Sequence, residues 1–315
     1  SKTYGNESIS ALHGAERVRL RPGVIFGSDG LDGCEQAFFE ILSNSIDEAR
    51  EGYGKEIEVT VYLNHSICVK DHGRGIPIEF NEKEQRFNWE LVFCELYAGG
   101  KFNNGARSNY KYSLGLNGLG TCSTQYTSSY MDVTVLRDSK EYKLHFEKGE
   151  NVTPNGFQVK NVKSKETGTT IHWLPDDQVF TDIDIPPEYF ADIIRRQAMI
   201  NPGIRFILHT ETAEKKFRED IFYYENGITD HIQEVLNSRK PISPICEFSD
   251  EKTGRDKEGQ EDYSVKIHCQ SIGIERLMNL ALSDSVFNSV LPLCKTHVGQ
   301  KVKVGRKWFK GNSIA

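Results

Sequence analysis

One stretch constrains this chain more than any other: Phe38-Phe39-Glu40-Ile41-Leu42-Ser43-Asn44-Ser45-Ile46-Asp47-Glu48-Ala49. At about 100° per residue, Glu40, Asn44 and Asp47 fall within roughly 60° of one another on a helix, and Phe38, Leu42, Ile46 and Ala49 lie opposite. The apolar face requires a core to pack against. The polar face, a carboxylate, an amide and a second carboxylate over two turns, can orient a water, ligate a hard cation through oxygen and brace a neighbouring loop. An ordinary amphipathic helix with a solvated stripe gives the same pattern, so the rest of the chain must decide.

A chain of 315 residues, 37% hydrophobic and 27% charged, fits a soluble globular protein of two domains. The net charge of −6 argues against a surface that grips nucleic acid throughout, while leaving room for local basic patches. Cys34, Cys68, Cys94, Cys122, Cys246, Cys269 and Cys294 are scattered and form no C-x-x-C pair. Neither a disulfide framework nor a zinc site is expected, and the setting reads as a reducing, cytoplasmic one. No apolar run approaches the length of a membrane span, and residues 1–14 are too polar for a signal peptide. The start at Ser1 reads as that of a trimmed chain.

Residues 1–14 lack periodicity and read as an arm. Arg19-Leu20-Arg21-Pro22-Gly23 is a basic turn, and the long helix is expected after a loop at residues 30–33, ending near Gly52. Residues 56–63 alternate, residues 66–70 answer them, and the two read as a hairpin turning at Asn64-His65. Further strands are expected at 131–136, 142–146, 167–173 and 205–209, with a helix at 188–200 stopped by Asn201-Pro202-Gly203.

Asp71-His72-Gly73-Arg74-Gly75-Ile76-Pro77 sits at the end of the second hairpin strand. A carboxylate there, followed by glycines that let a ring approach the backbone, can accept a hydrogen bond from an exocyclic amine such as that of adenine. Ala98-Gly99-Gly100-Lys101-Phe102 and Leu114-Gly115-Leu116-Asn117-Gly118-Leu119-Gly120 bracket a polar stretch. Closely spaced glycines before a helix expose N–H groups that cradle phosphate, and Lys101 adds positive charge. A plain turn and a plain surface loop account for either motif taken singly.

In order, Arg-Pro-Gly, Glu40…Asn44…Asp47, Asp71-x-Gly-Arg-Gly-Ile-Pro, Ala-Gly-Gly-Lys-Phe, Gly-x-Asn-Gly-x-Gly and Thr167-Gly168-Thr169 resemble the ATPase region of type IIA DNA topoisomerases, of the gyrase B and topoisomerase IV B type, within the GHKL superfamily. The likeness runs over residues 4–208, and its first and fourth motifs set it apart from MutL, sensor histidine kinases and heat-shock chaperones. It implies an α+β fold: a GHKL (Bergerat) ATP-binding sandwich of a mixed sheet with helices on one face, residues 1–220. A shortened, transducer-like α/β domain, residues 221–315, would follow.

The resemblance also implies roles. Glu40 would be the general base for the attacking water, Asn44 would hold Mg²⁺, and Asp47 would support the site. Asp71 would receive the adenine amine, with a structured water shared by Thr169. Arg74, Gly75 and Pro77 would line the base; Lys101 and the backbone of Gly115, Leu116, Asn117, Gly118, Leu119 and Gly120 would hold the phosphates; Tyr110 would lie in the lid. Arg137 stands where the family places an arginine near the adenine side, a position implicated in binding aminocoumarin inhibitors. ATP, Mg²⁺, a second copy on nucleotide binding, DNA and the DNA-cleaving parts of a topoisomerase are the implied cofactors and partners. A nucleotide-gated GHKL switch with little hydrolysis is the alternative function.

Three features depart from the family pattern. His72 stands where bacterial relatives usually carry an acid or Asn, Leu114 replaces a glycine and Asn117 a histidine, and a short insertion lengthens residues 103–107. Residues 249–262 are charged and read as a mobile loop, and residues 263–270 as a strand. The sensor-lysine loop of a complete transducer is not matched, because Gln300-Lys301-Val302-Lys303 assigns the role to neither Lys301 nor Lys303. Residues 286–315 contain no acids, and Lys295, Lys301, Lys303, Arg306, Lys307 and Lys310 surround Trp308-Phe309, a composition suited to phosphate-backbone contact, to an acidic surface or to a solvated tail.

Overall fold

The computed structural model describes residues 14–98 and 118–237, and the backbone of residues 246–255, 262–271, 301–304 and 307–310. Helices α1 (Ala15–Leu20) and α2 (Gly23–Phe26) precede the long α3 (Leu31–Arg50). Strands β1 (Glu56–Val61) and β2 (Ile67–Asp71) form the expected hairpin, then β3 (Phe80–Asn81) and β4 (Arg86–Phe87) lead into α4 (Asn88–Phe93). There follow α5 (Gly120–Tyr126), β5 (Ser128–Arg137), β6 (Lys140–Glu147), β7 (Glu150–Asn151), β8 (Gln158–Asn161) and β9 (Gly168–Pro175). The chain continues through α6 (Pro187–Ile200), β10 (Arg205–Glu211), β11 (Phe217–Phe222), α7 (Ile228–Leu236), β12 (Cys246–Arg255), β13 (Asp262–Ser271), β14 (Lys301–Val304) and β15 (Lys307–Lys310).

The main sheet runs β11-β10-β1-β2-β9-β5-β6-β7, with β8 also paired to β6. It is mixed, because β1 and β10 pair in parallel while the hairpin and the β9, β5 and β6 pairings are antiparallel. Period-2 burial explains the sheet's two faces. Ile57, Val59, Ile67, Val69, Met131, Val133, Ile171 and Trp173 are buried, and the residues between them carry Glu58, Lys70, Asp132 and His172. Helix α3 completes the core with Phe38, Ile41, Leu42 and Ile46, all at 1% exposure or less. The ring of Phe38 meets Phe190 edge-on at 4.8 Å. This is the α+β sandwich expected from the sequence.

Contacts divide the chain into two compact units, Ser1–Ile194 with Ile204–Phe222 and Arg195–Gly203 with Tyr223–Ala315. In the second, Tyr224 donates to Glu234 at 2.8 Å and the Asn226 N–H donates to Asp230 at 2.7 Å, tying the segment before α7 to the helix. Two-stranded ribbons β12–β13 and β14–β15 follow.

Two expectations need correction. Residues 249–255, read as part of a mobile loop, belong to β12, which pairs antiparallel with β13 from Cys246↔Ser271 to Arg255↔Asp262. A two-stranded ribbon is defined by backbone pairing and needs no apolar alternation, so its charged composition hid it. Gly33 lies inside α3 rather than in a loop before it. A Cβ there would overlap the Ser28 carbonyl, which accounts for a glycine in the first helical turn.

Arg19, expected in a basic turn, lies in the last turn of α1 and is a structural pin. The Arg19 guanidinium donates to the Tyr126 carbonyl at 2.9 Å and pairs with Asp176, whose side chain is 2% exposed. Burial alone would raise the Asp176 carboxyl, but the bonds from Arg19 and from the Gln178 N–H hold it below its ordinary value. A depressed carboxylate stabilises the fold at neutral pH, and this contribution is lost as pH falls through its lowered pKa. Arg19→Ala is expected to cost about 3 kcal/mol at pH 7 by stranding that charge. The gap from wild type in thermal melts should narrow toward pH 3.

Candidate functional site

The polar face of α3 does more than three residues suggest. Gln36 Nε2 donates to Glu40 Oε1 at 2.9 Å, one turn along the same helix. The Asn44 amide donates to the Glu40 carbonyl and to Thr121 Oγ1 of α5, both at 3.0 Å, which fixes which side of the amide presents its oxygen. Gly120, the first residue of α5, lies against Glu40: a Cβ there would overlap the carboxylate and come within 2.8 Å of Glu40 Cβ. Asp47, expected on the same face, is buried at 1% exposure.

The other half of the site gathers around Asp71. Its Oδ1 accepts the N–H groups of Gly73 at 2.9 Å and Thr169 at 3.2 Å, and its Oδ2 accepts the Ser45 hydroxyl at 3.0 Å. Burial pushes the Asp71 carboxyl up from its ordinary value, Glu48 adds to the rise, and these three hydrogen bonds oppose it. Thr169 Oγ1 accepts the Ile76 N–H at 3.1 Å, and a Cβ on Gly168 would overlap the Asp71 carbonyl. The Arg74 guanidinium makes a two-point pair with Glu48, at 3.0 and 2.8 Å, and lies 4.2 Å from the centre of the Tyr53 ring. Arg137 donates to the Gly75 carbonyl at 2.8 Å. Gly75 has φ 78°, and a Cβ there would stand 2.6 Å from the Leu136 carbonyl. Pro77 follows on the exposed side.

Glu40, Asn44, Gly120, Asp71, Thr169, Arg74, Gly75 and Arg137 thus belong to one connected arrangement of α3, α5, β2, β5, β9 and the turn after β2. Gly118 and Leu119 lead directly into α5, with Gly118 at φ 58° and its carbonyl accepting the Tyr97 N–H at 3.1 Å. Lys101, Tyr110, Gly115, Leu116 and Asn117, with the substituted Leu114, lie outside the described residues. Sequence reasoning missed Gln36, Ser45, Glu48 and Thr121. The i, i+4, i+8 series 40, 44, 48 was a usable signal for Glu48, whereas Ser45 and Thr121 had none.

His72 points away from Asp71. Its Nε2 is 3.3 Å from Glu58 Oε1 on the opposite face of the sheet, so the departure leaves the Asp71 pocket untouched by the imidazole. Glu56, Glu58 and His72 bring ligand atoms within 4.8 Å of one another. Lys70 lies 2.6 Å from Glu58 and Arg205 3.4 Å from Glu56, so these acids already have cationic partners. Desolvation raises the thiols of Cys34, Cys94 and Cys122 to about 12 and that of Cys68 to about 11, which leaves them protonated and poor metal ligands. No helix among the described residues is long and apolar enough to cross a membrane.

A mixed sheet under a helix that carries an acid and an amide, with a buried aspartate at a strand end and a glycine turn into α5, defines a nucleotide-binding ATPase sandwich. Residues 30–178 match the family model of histidine kinase-, DNA gyrase B- and HSP90-like ATPases. The chain is 36% identical over 262 residues to DNA topoisomerase 4 B of Enterococcus faecalis, covering 83% of this chain and 37% of that protein. It is 31% identical over 300 residues to DNA gyrase B of Mycoplasmoides gallisepticum (94% and 44%), and 33% identical over 268 residues to that of Thermotoga maritima (85% and 41%). It therefore spans about two-fifths of the length of these curated relatives. The chain carries the GHKL ATPase region of the type II topoisomerase family.

Proposed function

We propose that the chain is the ATP-binding and hydrolysing clamp module of a type IIA topoisomerase. In it, Mg²⁺-dependent ATP turnover would drive closure and reopening of two copies in step with DNA strand passage by the remainder of the enzyme. The observation that carries this reading is the placement of Glu40 and Asn44 against Gly120 and Thr121 on one side, with Asp71 and Thr169 on the other, all anchored on α3. A phosphoryl-transfer site and a base-binding site thereby share one rigid helix.

The donor set fits a hard cation, since Asn44 offers an amide oxygen beside the Glu40 carboxylate and the described thiols are protonated. When bound, Mg²⁺ would neutralise charge on the phosphate oxygens. Asn44 would hold it, with its amide set by Thr121 and the Glu40 carbonyl. Glu40, held by Gln36, would orient a water and take its proton as the new oxygen–phosphorus bond forms and ADP departs. Asp71 would accept the adenine amine, and Thr169, whose hydroxyl oxygen already accepts the Ile76 N–H, would donate its hydrogen toward the base or a water. Gly118, Leu119 and Gly120, with Lys101, Gly115, Leu116 and Asn117, would hold the phosphates, and Tyr110 would lie in the lid. Arg74, fixed by Glu48, would line the base with Gly75 and Pro77, and Arg137 beside Gly75 would edge an aminocoumarin-type inhibitor. Residues 221–315 would serve as a transducer-like domain.

Turnover should vanish when Mg²⁺ is chelated. Asp71→Asn should weaken ATP by about 10²-fold, the scale for mispairing a buried polar site, while inorganic phosphate analogues bind as before. Unchanged ATP affinity would remove Asp71 from the base site.

A further inference from the structure

The hydrogen bonds around Asp71 are unevenly shared between its two oxygens. Oδ1 accepts two N–H groups, from Gly73 and Thr169, and Oδ2 accepts one hydroxyl, from Ser45. An ionised carboxylate has about four acceptor positions. Among the described residues, three are occupied, and the remaining one lies on the oxygen that Ser45 holds. Ser45 is itself buried, at 5% exposure, on the helix that also carries Glu40 and Asn44.

We propose that Ser45 is a positioning residue that aims the last acceptor position of Asp71 and makes the pocket selective for a purine bearing a 6-amino group. This rests on the reading of Asp71 as the base acceptor and goes beyond it by naming what sets its direction. With Oδ1 saturated and Oδ2 half-saturated, one N–H donor completes the carboxylate. A 6-oxo purine would place an acceptor against an acceptor in a buried site, where the mismatch is costly. Removing the Ser45 hydroxyl leaves Oδ1 anchored and gives Oδ2 two open positions, so water competes for the place of the amine. Ser45 also couples base to phosphates, since α3 sets the spacing between the Asp71 acceptor and the Glu40 end of the site.

The test compares binding of ATP and of purine riboside triphosphate, which lacks the 6-amino group, to wild type, Ser45→Ala and Asp71→Asn. For Ser45→Ala, ATP should weaken about tenfold, the lower end for a hydrogen bond to a charged group, while the amine-free analogue binds as it does to wild type. Equal weakening of both nucleotides would show a merely structural role, and no change in either would leave Asp71 correctly aimed without Ser45; each overturns the proposal. The two readings separate in the third variant. If Asp71→Asn loses ATP and Ser45→Ala does not, only the Ser45 proposal fails. If Asp71→Asn binds ATP like wild type, the base-site reading fails and takes the Ser45 proposal with it.

Discussion

Gly120→Ala is expected to abolish most ATP turnover while leaving the fold intact. Gly120 opens α5, where alanine is the better helix former by about 1 kcal/mol, so the backbone gives no reason for a glycine. The reason is Glu40. A methyl group at this position would overlap the carboxylate and come within 2.8 Å of Glu40 Cβ. The carboxylate can swing aside by breaking the 2.9 Å bond from Gln36, while the close approach to Glu40 Cβ also forces α5 to shift against α3; both move the base off its line. Displacement of a catalytic group by about 1 Å costs on the order of 10²-fold in rate. Turnover should fall by that order, with a melting transition that stays cooperative and drops by several degrees for the overpacking. Wild-type turnover in Gly120→Ala would mean that Glu40 does not act from this position.

The same residue shows what the sequence could and could not reveal. Gly120 reads as a phosphate-loop glycine, because closely spaced glycines before a helix have that use. That it must also leave room for Glu40, eighty positions earlier, follows only from the packing of α5 on α3. The α3 stripe was legible because helical period and burial share one repeat; Phe38, Leu42 and Ile46 lie where that repeat puts them. Its reading was incomplete because Ser45 and Glu48 took up contacts with Asp71 and Arg74. Those partners come from the turn after β2, and a helical wheel contains no information about a strand. His72 illustrates the converse. His72 departs from the family pattern right beside Asp71, but just past the end of β2 the chain turns its imidazole to Glu58 on the other face of the sheet. The β12 strand stayed hidden because two-stranded ribbons leave no period in the sequence.

One helix, α3, contacts both halves of the candidate site. Glu40 and Asn44 lie on the α5 side, and Ser45 and Glu48 reach toward the Asp71 turn. On the proposed function, base recognition and water activation would be held at a fixed spacing by the backbone hydrogen bonds of α3 over a few turns.

Glu40→Ala is the second large effect, and it addresses the central claim directly. If Glu40 takes the proton from the attacking water, its removal should cost about 10²–10⁴-fold in turnover. ATP affinity should persist, because Asp71, Thr169 and Arg74 are anchored by Gly73, Ser45, Ile76 and Glu48 independently of it. The decisive measurement is Mg²⁺-dependent ATP hydrolysis by wild type and Glu40→Ala, with nucleotide binding measured in parallel. The account predicts turnover in wild type that is lost in the variant with binding retained. Equal turnover in both would contradict it, and binding without turnover in wild type would make the chain a nucleotide-gated switch.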